Sequence, residues 1–89
     1  MQRIIDAVEA VLDFLRRIPL SEGTVNDYKD HFRFICAYCE SKGITWFSHS
    51  EAQTFTDIQA ARCEDHQINK RNFNKRRKSA FLLAECMTA

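Results

Sequence analysis

The sequence predicts an all-α fold, four helices packed into one bundle, and three observations carry that prediction. Apolar residues recur at spacings of three and four along most of the chain, the repeat of one helix face. Two Gly and a single Pro leave little material for the tight turns of a β-sheet. Each of four segments of helical length carries a start or a stop signal. At 89 residues the chain is one domain with a modest core, and its 45% hydrophobic and 28% charged content is ordinary for a globular protein.

In the first segment Ile4, Ile5, Val8, Val11, Leu12 and Leu15 make a stripe, with Asp6, Glu9 and Asp13 outside it. Pro19 forces the preceding residue out of helical geometry, so the helix ends near Arg17 and a sharp corner follows. The second segment is the best specified. Val25, Tyr28, Phe32, Ile35 and Cys39 share one face, and Asn26, Asp27, Lys29, Asp30, Arg33 and Glu40 lie outside. Ser21 is its N-cap, Leu20 and Val25 form a hydrophobic staple, and Gly43 with Ile44 suits a Schellman ending. Ile44 to Phe47 has strand propensity but no partner strand, and reads as a buried loop in which Trp46 and Phe47 plug the core. Ser48 and Glu51 form a capping box for a third helix with Phe55 and Ile58 inward and Ala52 and Ala61 at its edges.

The last helix opens on Ile68-Asn69-x-x-Asn72-Phe73, which echoes Leu20-Ser21-x-x-Thr24-Val25. Phe73, Ala80, Ala84 and Met87 share one face; Arg71, Lys75 and Lys78 fall opposite, flanked by Lys70, Asn74 and Arg77. Leu82 lies on the basic side, which implies a partner surface for that end. The predicted helices are 3–17, 22–42, 49–64 and 69–87. The predicted core is Ile5, Val8, Leu12, Val25, Tyr28, Phe32, Ile35, Phe55, Ile58, Phe73, Ala80 and Ala84.

The near-neutral total charge hides a pole. Residues 1–66 hold seven Lys/Arg against eleven Asp/Glu, a net of −4, whereas residues 67–89 hold six against one, a net of +5. All six of those cations lie between Lys70 and Lys78, on the first turns of a helix whose dipole is already positive there. That placement opposes the isolated helix and favours phosphate. The interleaved Asn69, Asn72 and Asn74 carry amides able to meet base edges.

Other chemistry finds little support. Cys36-x-x-Cys39 and Cys63-x-x-His66 have the ligand count of a Cys3His zinc site, but Cys39 is on the core stripe and no turn separates the first pair. Four reduced thiols with no metal and no cofactor are expected. His31, His49 and His66 have no nucleophile beside them, and with two Gly there is no phosphate-cradling loop, so no catalytic residue is expected. No apolar run reaches the roughly 18 residues of a membrane span, and no secretory leader is evident, which predicts a cytoplasmic location.

Leu20-Ser21-x-x-Thr24-x-x-x-Tyr28, followed by Phe32, Ile35 and the Lys42-Gly43-Ile44 exit, resembles the N-terminal core-binding (SAM-like) domain of phage integrases and other tyrosine recombinases. Ile68-Asn69-x-x-Asn72-Phe73-Asn74-Lys75-Arg76 is similar to the opening of that family's last helix, although Arg77 stands where the family has Leu. The resemblance spans nearly the whole chain. It implies a compact four-helix SAM-like bundle covering one face of double-stranded DNA beside a crossover site, with the second and last helices near the major groove. It also implies a C-terminal catalytic domain, in the same parent chain, bearing the Arg, His and Tyr set; the 89 residues would then be a domain of a longer recombinase, monomeric alone and catalysing nothing. On that reading the DNA-binding residues are Lys70, Arg71, Asn72, Asn74, Lys75 and Lys78, with Asn26, Lys29 and Arg33 as a matching row on the second helix. The competing reading is a SAM-type protein-interaction module whose basic pole meets an acidic partner. A helix-turn-helix regulator fits less well, since no compact turn with a central Gly precedes the basic helix.

Overall fold

Four helices form: α1 (Ile4–Arg17), α2 (Glu22–Lys42), α3 (His49–Glu64) and α4 (Lys70–Thr88). The structure is a computed structural model and describes residues 3–88. No strand occurs among those residues, and no helix among them is long and apolar enough to cross a membrane. The molecule is flattened, 36 × 31 × 18 Å, about two helix layers thick.

The helix ends follow from local chemistry. Ile18, ahead of Pro19, is extended at φ −96° and ψ 154°, which stops α1 at Arg17. Ser21 Oγ accepts the Thr24 amide at 3.2 Å to open α2. At the far end Gly43 takes φ 69°, and its N–H and that of Ile44 bond the Glu40 and Cys39 carbonyls at 3.3 and 2.8 Å, a Schellman motif. Ser48 Oγ caps α3 through the Glu51 amide at 3.2 Å. Asn69 Oδ1 caps α4 through the Asn72 amide at 2.7 Å, so Asn69 precedes the helix and does not begin it. The two echoing phrases therefore do the same job, a side chain accepting from the amide three residues on.

Packing centres on α4, which meets all three other helices; α1 also meets α2, whereas the backbone of α3 comes close only to α4 and α3 reaches α2 through the Phe55 ring against Tyr38 and Phe34. Three α4 side chains on the packing face are small and fully buried, Ser79, Ala80 and Ala84. Their size lets neighbouring backbones come close. Around them the core gathers Ala7, Val8, Val11, Leu12, Leu15, Phe32, Ile35, Cys39, Phe47, Ala52, Phe55, Leu83 and Met87. Phe55 is its aromatic hub, with Tyr38, Phe34 and Phe47 ring centres at 5.1, 6.0 and 6.4 Å in edge-on arrangements.

Several expectations are corrected. Ile5 is 48% exposed: the stripe of α1 runs through Ala7, Val11 and Leu15, and Ile5 falls beyond its edge in the first turn. Trp46 is 42% exposed, and Phe47 alone plugs the core, its N–H pointing at Met87 Sδ 3.4 Å away. Ala52 is fully buried and Ala61 is exposed, so the inner face of α3 turns towards Ala52, Thr56 and Gln59, and Ile58 is half-buried. Tyr28 packs against the core from its edge, and Val25 and Phe73 are only half-buried, so none of the three is sealed within it. Leu82 and Phe81 pack against the core and are half covered by this chain itself, which removes the ground for a partner at that end. The helix bounds of α1 and α4 shift by a single residue at the ends that differ.

Candidate nucleic-acid interface

The polar residues of the basic pole divide into three groups once α4 is folded onto its neighbours. Lys70, Arg71, Asn72, Arg77 and Lys78 are exposed, with Asn74 half-buried beside them. Arg76 turns inward. Its guanidinium lies 4.1 Å over the Phe34 ring, and Nη1 donates to Gln59 Oε1 at 2.8 Å. Burial, and secondarily Arg62, pushes its pKa down from the ordinary value, and its Nε–H is buried without a protein acceptor. Lys75 points towards α2, where Nζ donates to Asp27 Oδ2 at 2.5 Å. That hydrogen bond and charge hold Asp27 below the usual carboxylate range, with smaller help from His31 and Arg71. Arg71, Lys75 and Lys78 were expected to act as one free face; of the three, Lys75 is already engaged.

The row on α2 divides as well. Asn26 and Arg33 are exposed, and Arg33 lies 3.9 Å from Asp30 one turn earlier. Lys29 is half-buried and, with Asn26, lines a groove with Arg16, Leu20, Glu22 and Val25 at the corner where α1 turns into α2. The α2 residues that meet the basic half of α4 are Thr24, Asp27, Tyr28 and His31, with Phe34 beneath Arg76. With Lys75 and Lys78 the first four enclose a cleft of about 120 Å³. Asn26, Lys29 and Arg33 are therefore not the side of α2 that α4 joins. The residues that are had a signal in the sequence, since Thr24, Asp27 or Tyr28, and His31 follow helical spacing along one border of the core stripe.

His31 is half-buried in that cleft. Burial, then Arg76 and Lys75, pushes its pKa below the ordinary value, partly offset by Asp27 and Asp30. The other candidate chemistries are placed apart. Among the described residues no three His, Cys, Asp or Glu side chains come together as a metal site would need. His66 adopts φ 61° and ends α3, with its N–H and that of Gln67 on the Cys63 and Arg62 carbonyls at 3.1 and 2.9 Å. The Cys63-x-x-His66 spacing is thus that of a helix terminator with a non-glycine left-handed residue. Burial pushes the Cys39 thiol up to about 12 and raises Cys36 too, which leaves neither as a thiolate nucleophile near neutral pH.

Compared with family models, curated proteins and solved structures, the chain matches none. The likeness to recombinase core-binding domains therefore rests on the residues quoted above.

Proposed function

We propose that this chain is a DNA-binding domain that grips the backbone of duplex DNA with the N-terminal half of α4. The reading extends to the core-binding domain of a tyrosine recombinase, with the chemistry of strand exchange assigned to a separate catalytic domain. The observation that carries it is the set of exposed cations Lys70, Arg71, Arg77 and Lys78, crowded into two turns that no carboxylate of α4 balances. Exposed cations at the positive end of a helix repel one another and gain when phosphate approaches. Asn72 and Asn74, between them, supply amides for base edges. The exposed Asn26 and Arg33 of α2 add contacts at a second place on the duplex.

Titration of a labelled random duplex at several salt concentrations tests this. Four to six phosphate contacts give a log–log salt slope of about −4 to −5, and an affinity of about 10⁻⁴–10⁻⁶ M at physiological salt. A Lys70/Arg71/Lys78 triple-Ala variant flattens the slope by about three. A triple variant that binds as the parent does would remove α4 from the DNA surface.

One observation favours a second reading, a helical interaction module. Phe14, Ile18 and Leu20 are 57, 37 and 39% exposed near the α1–α2 corner, among Arg16, Arg17 and Lys29. Exposed apolar side chains flanked by Arg17 and Lys29 suit a protein partner, with Arg16 answered by Asp13 at 3.1 Å and Glu22 in the adjoining groove. Such a module binds random duplex no more than any basic surface would, and does not lose that binding in the α4 triple variant.

A further inference from the structure

We infer that the cleft between α2 and α4 is a seat for one backbone phosphodiester, and that His31 couples this seat to pH. The inference rests on the DNA-binding reading and names a site within it that the basic residues alone do not define. The cleft is lined by Thr24, Asp27, Tyr28, His31, Lys75 and Lys78 and encloses about 120 Å³. That is room for several waters, and hence for the non-bridging oxygens of one phosphate. Its walls offer two hydroxyls, one imidazole and two ammonium groups. The Thr24 hydroxyl already shares a proton with Ser21 Oγ at 2.8 Å, and the Tyr28 ring is held by stacking on Phe32 at 6.2 Å. These groups are fixed on helices and not on a loop, as a preorganised anion seat requires.

The charge in the cleft also favours an anion. Its one carboxylate, Asp27, is committed to Lys75. Lys78 makes no ion pair among the described residues and is exposed. Asp27 also feels Arg71, so the surroundings stay net positive after the pair is counted. The charged groups facing His31 are Asp27 and Asp30 from its own helix and Lys75, Arg76 and Lys78 from α4. In the free protein those cations and burial disfavour imidazolium. A phosphate brought into the cleft cancels the cations and favours it. Binding then takes up a proton in the window between the free and the bound His31 values, and affinity rises as pH falls through that window. For one proton the rise is at most about tenfold per pH unit. Asp27, held low by Lys75, stays ionised there.

The test follows the imidazole resonances of the 89-residue chain by NMR from about pH 7.5 to about 5.5. It is run alone, with a random-sequence duplex, and with inorganic phosphate, and His31→Gln assigns the signals. Circular dichroism checks that the variant keeps its helices. The expected result is that duplex raises the titration midpoint of the resonance that His31→Gln removes. The pH dependence of duplex affinity should also disappear in His31→Gln. Salt-sensitive duplex binding that leaves His31 unmoved overturns the seat and leaves the DNA reading intact. Absence of duplex binding overturns both. An equal rise with inorganic phosphate alone overturns the assignment to a phosphodiester.

Discussion

The two halves of α4 use the same helix for opposite purposes. From Ser79 to Thr88 it is a packing element: Ser79, Ala80, Leu83 and Ala84 are fully buried and Met87 nearly so. From Lys70 to Lys78 it carries six cations, yet the fold uses two of them itself, Arg76 over Phe34 and Lys75 on Asp27. The charge of a run is thus not the charge it shows to a partner. Four cations, Lys70, Arg71, Arg77 and Lys78, remain exposed, and any binding argument must be scaled to those. The contrast also predicts how each half responds to mutation: the packing half through stability, the basic half through binding, with Arg76 behaving as a member of the wrong half.

The largest expected effect lies in the core that the packing half completes. Phe55 is fully buried and touches three other rings. Phe55→Ala removes those contacts and leaves a cavity, costing about 3–5 kcal/mol, as does Phe32→Ala. For a domain of this size that is much of the total stability. Urea unfolding measures it; a loss below about 1 kcal/mol would mean that α3 is not anchored through Phe55.

How far these roles were legible in the sequence follows from the range of the interactions behind them. Helix starts and stops depend on residues one to six apart, and Ser21, Gly43, Ser48 and Asn69 act as their positions predict. The face each helix buries depends on where its neighbours lie. A thin stripe such as that of α3 leaves this open, so Ala52 and Gln59 go inside unannounced. Ile5 and Trp46 fail for the same reason: each is apolar and near the core, but no neighbour covers it. Arg76 is the sharpest case. A cation amid cations looks exposed until an aromatic ring and an amide from two other helices are found beneath it. The site inherits that limit, because the partners Asp27 and His31 lie more than forty residues away from Lys75 and Lys78 in sequence.

Neighbouring arginines give the middle-sized test. Arg76→Ala strips the cation from Phe34 and leaves Gln59, 1% exposed, without its donor. The loss is about 1–3 kcal/mol, from an unsatisfied buried amide and a lost cation–π contact. Arg77→Ala, one residue on and exposed, stays within about 0.5 kcal/mol of the parent in stability. Duplex binding reverses the order: Arg77→Ala flattens the salt slope by about 0.9, and Arg76→Ala leaves it unchanged in whatever fraction stays folded. Equal stability losses in the two variants would erase the division between structural and free cations.

A small stability effect, and the most informative one on binding, belongs to Asp27. Its pair with Lys75 is half open to solvent, with side chains 49 and 31% exposed, so Asp27→Asn changes stability by only about 0.2–1 kcal/mol. The substitution keeps the side chain's shape and removes the one carboxylate facing Lys75. If the basic half grips phosphate, Lys75 is then released to join Lys70, Arg71, Arg77 and Lys78. Duplex affinity at low salt should rise, and the salt slope should steepen by about 0.9, the share of one added phosphate contact. Lys75→Met provides the control. Alone it should weaken binding, since it leaves the Asp27 carboxylate unanswered in the cleft, whereas in the Asp27→Asn background it should only remove the gain. The difference between the Lys75→Met effects in the two backgrounds measures the coupling of the pair. An Asp27→Asn protein that binds more tightly with an unchanged slope would mean that a repulsive carboxylate has been removed while Lys75 still fails to reach the duplex. In that case the boundary between the internal and the external cations of α4 is fixed by the direction in which Lys75 points, and not by the charge that holds it.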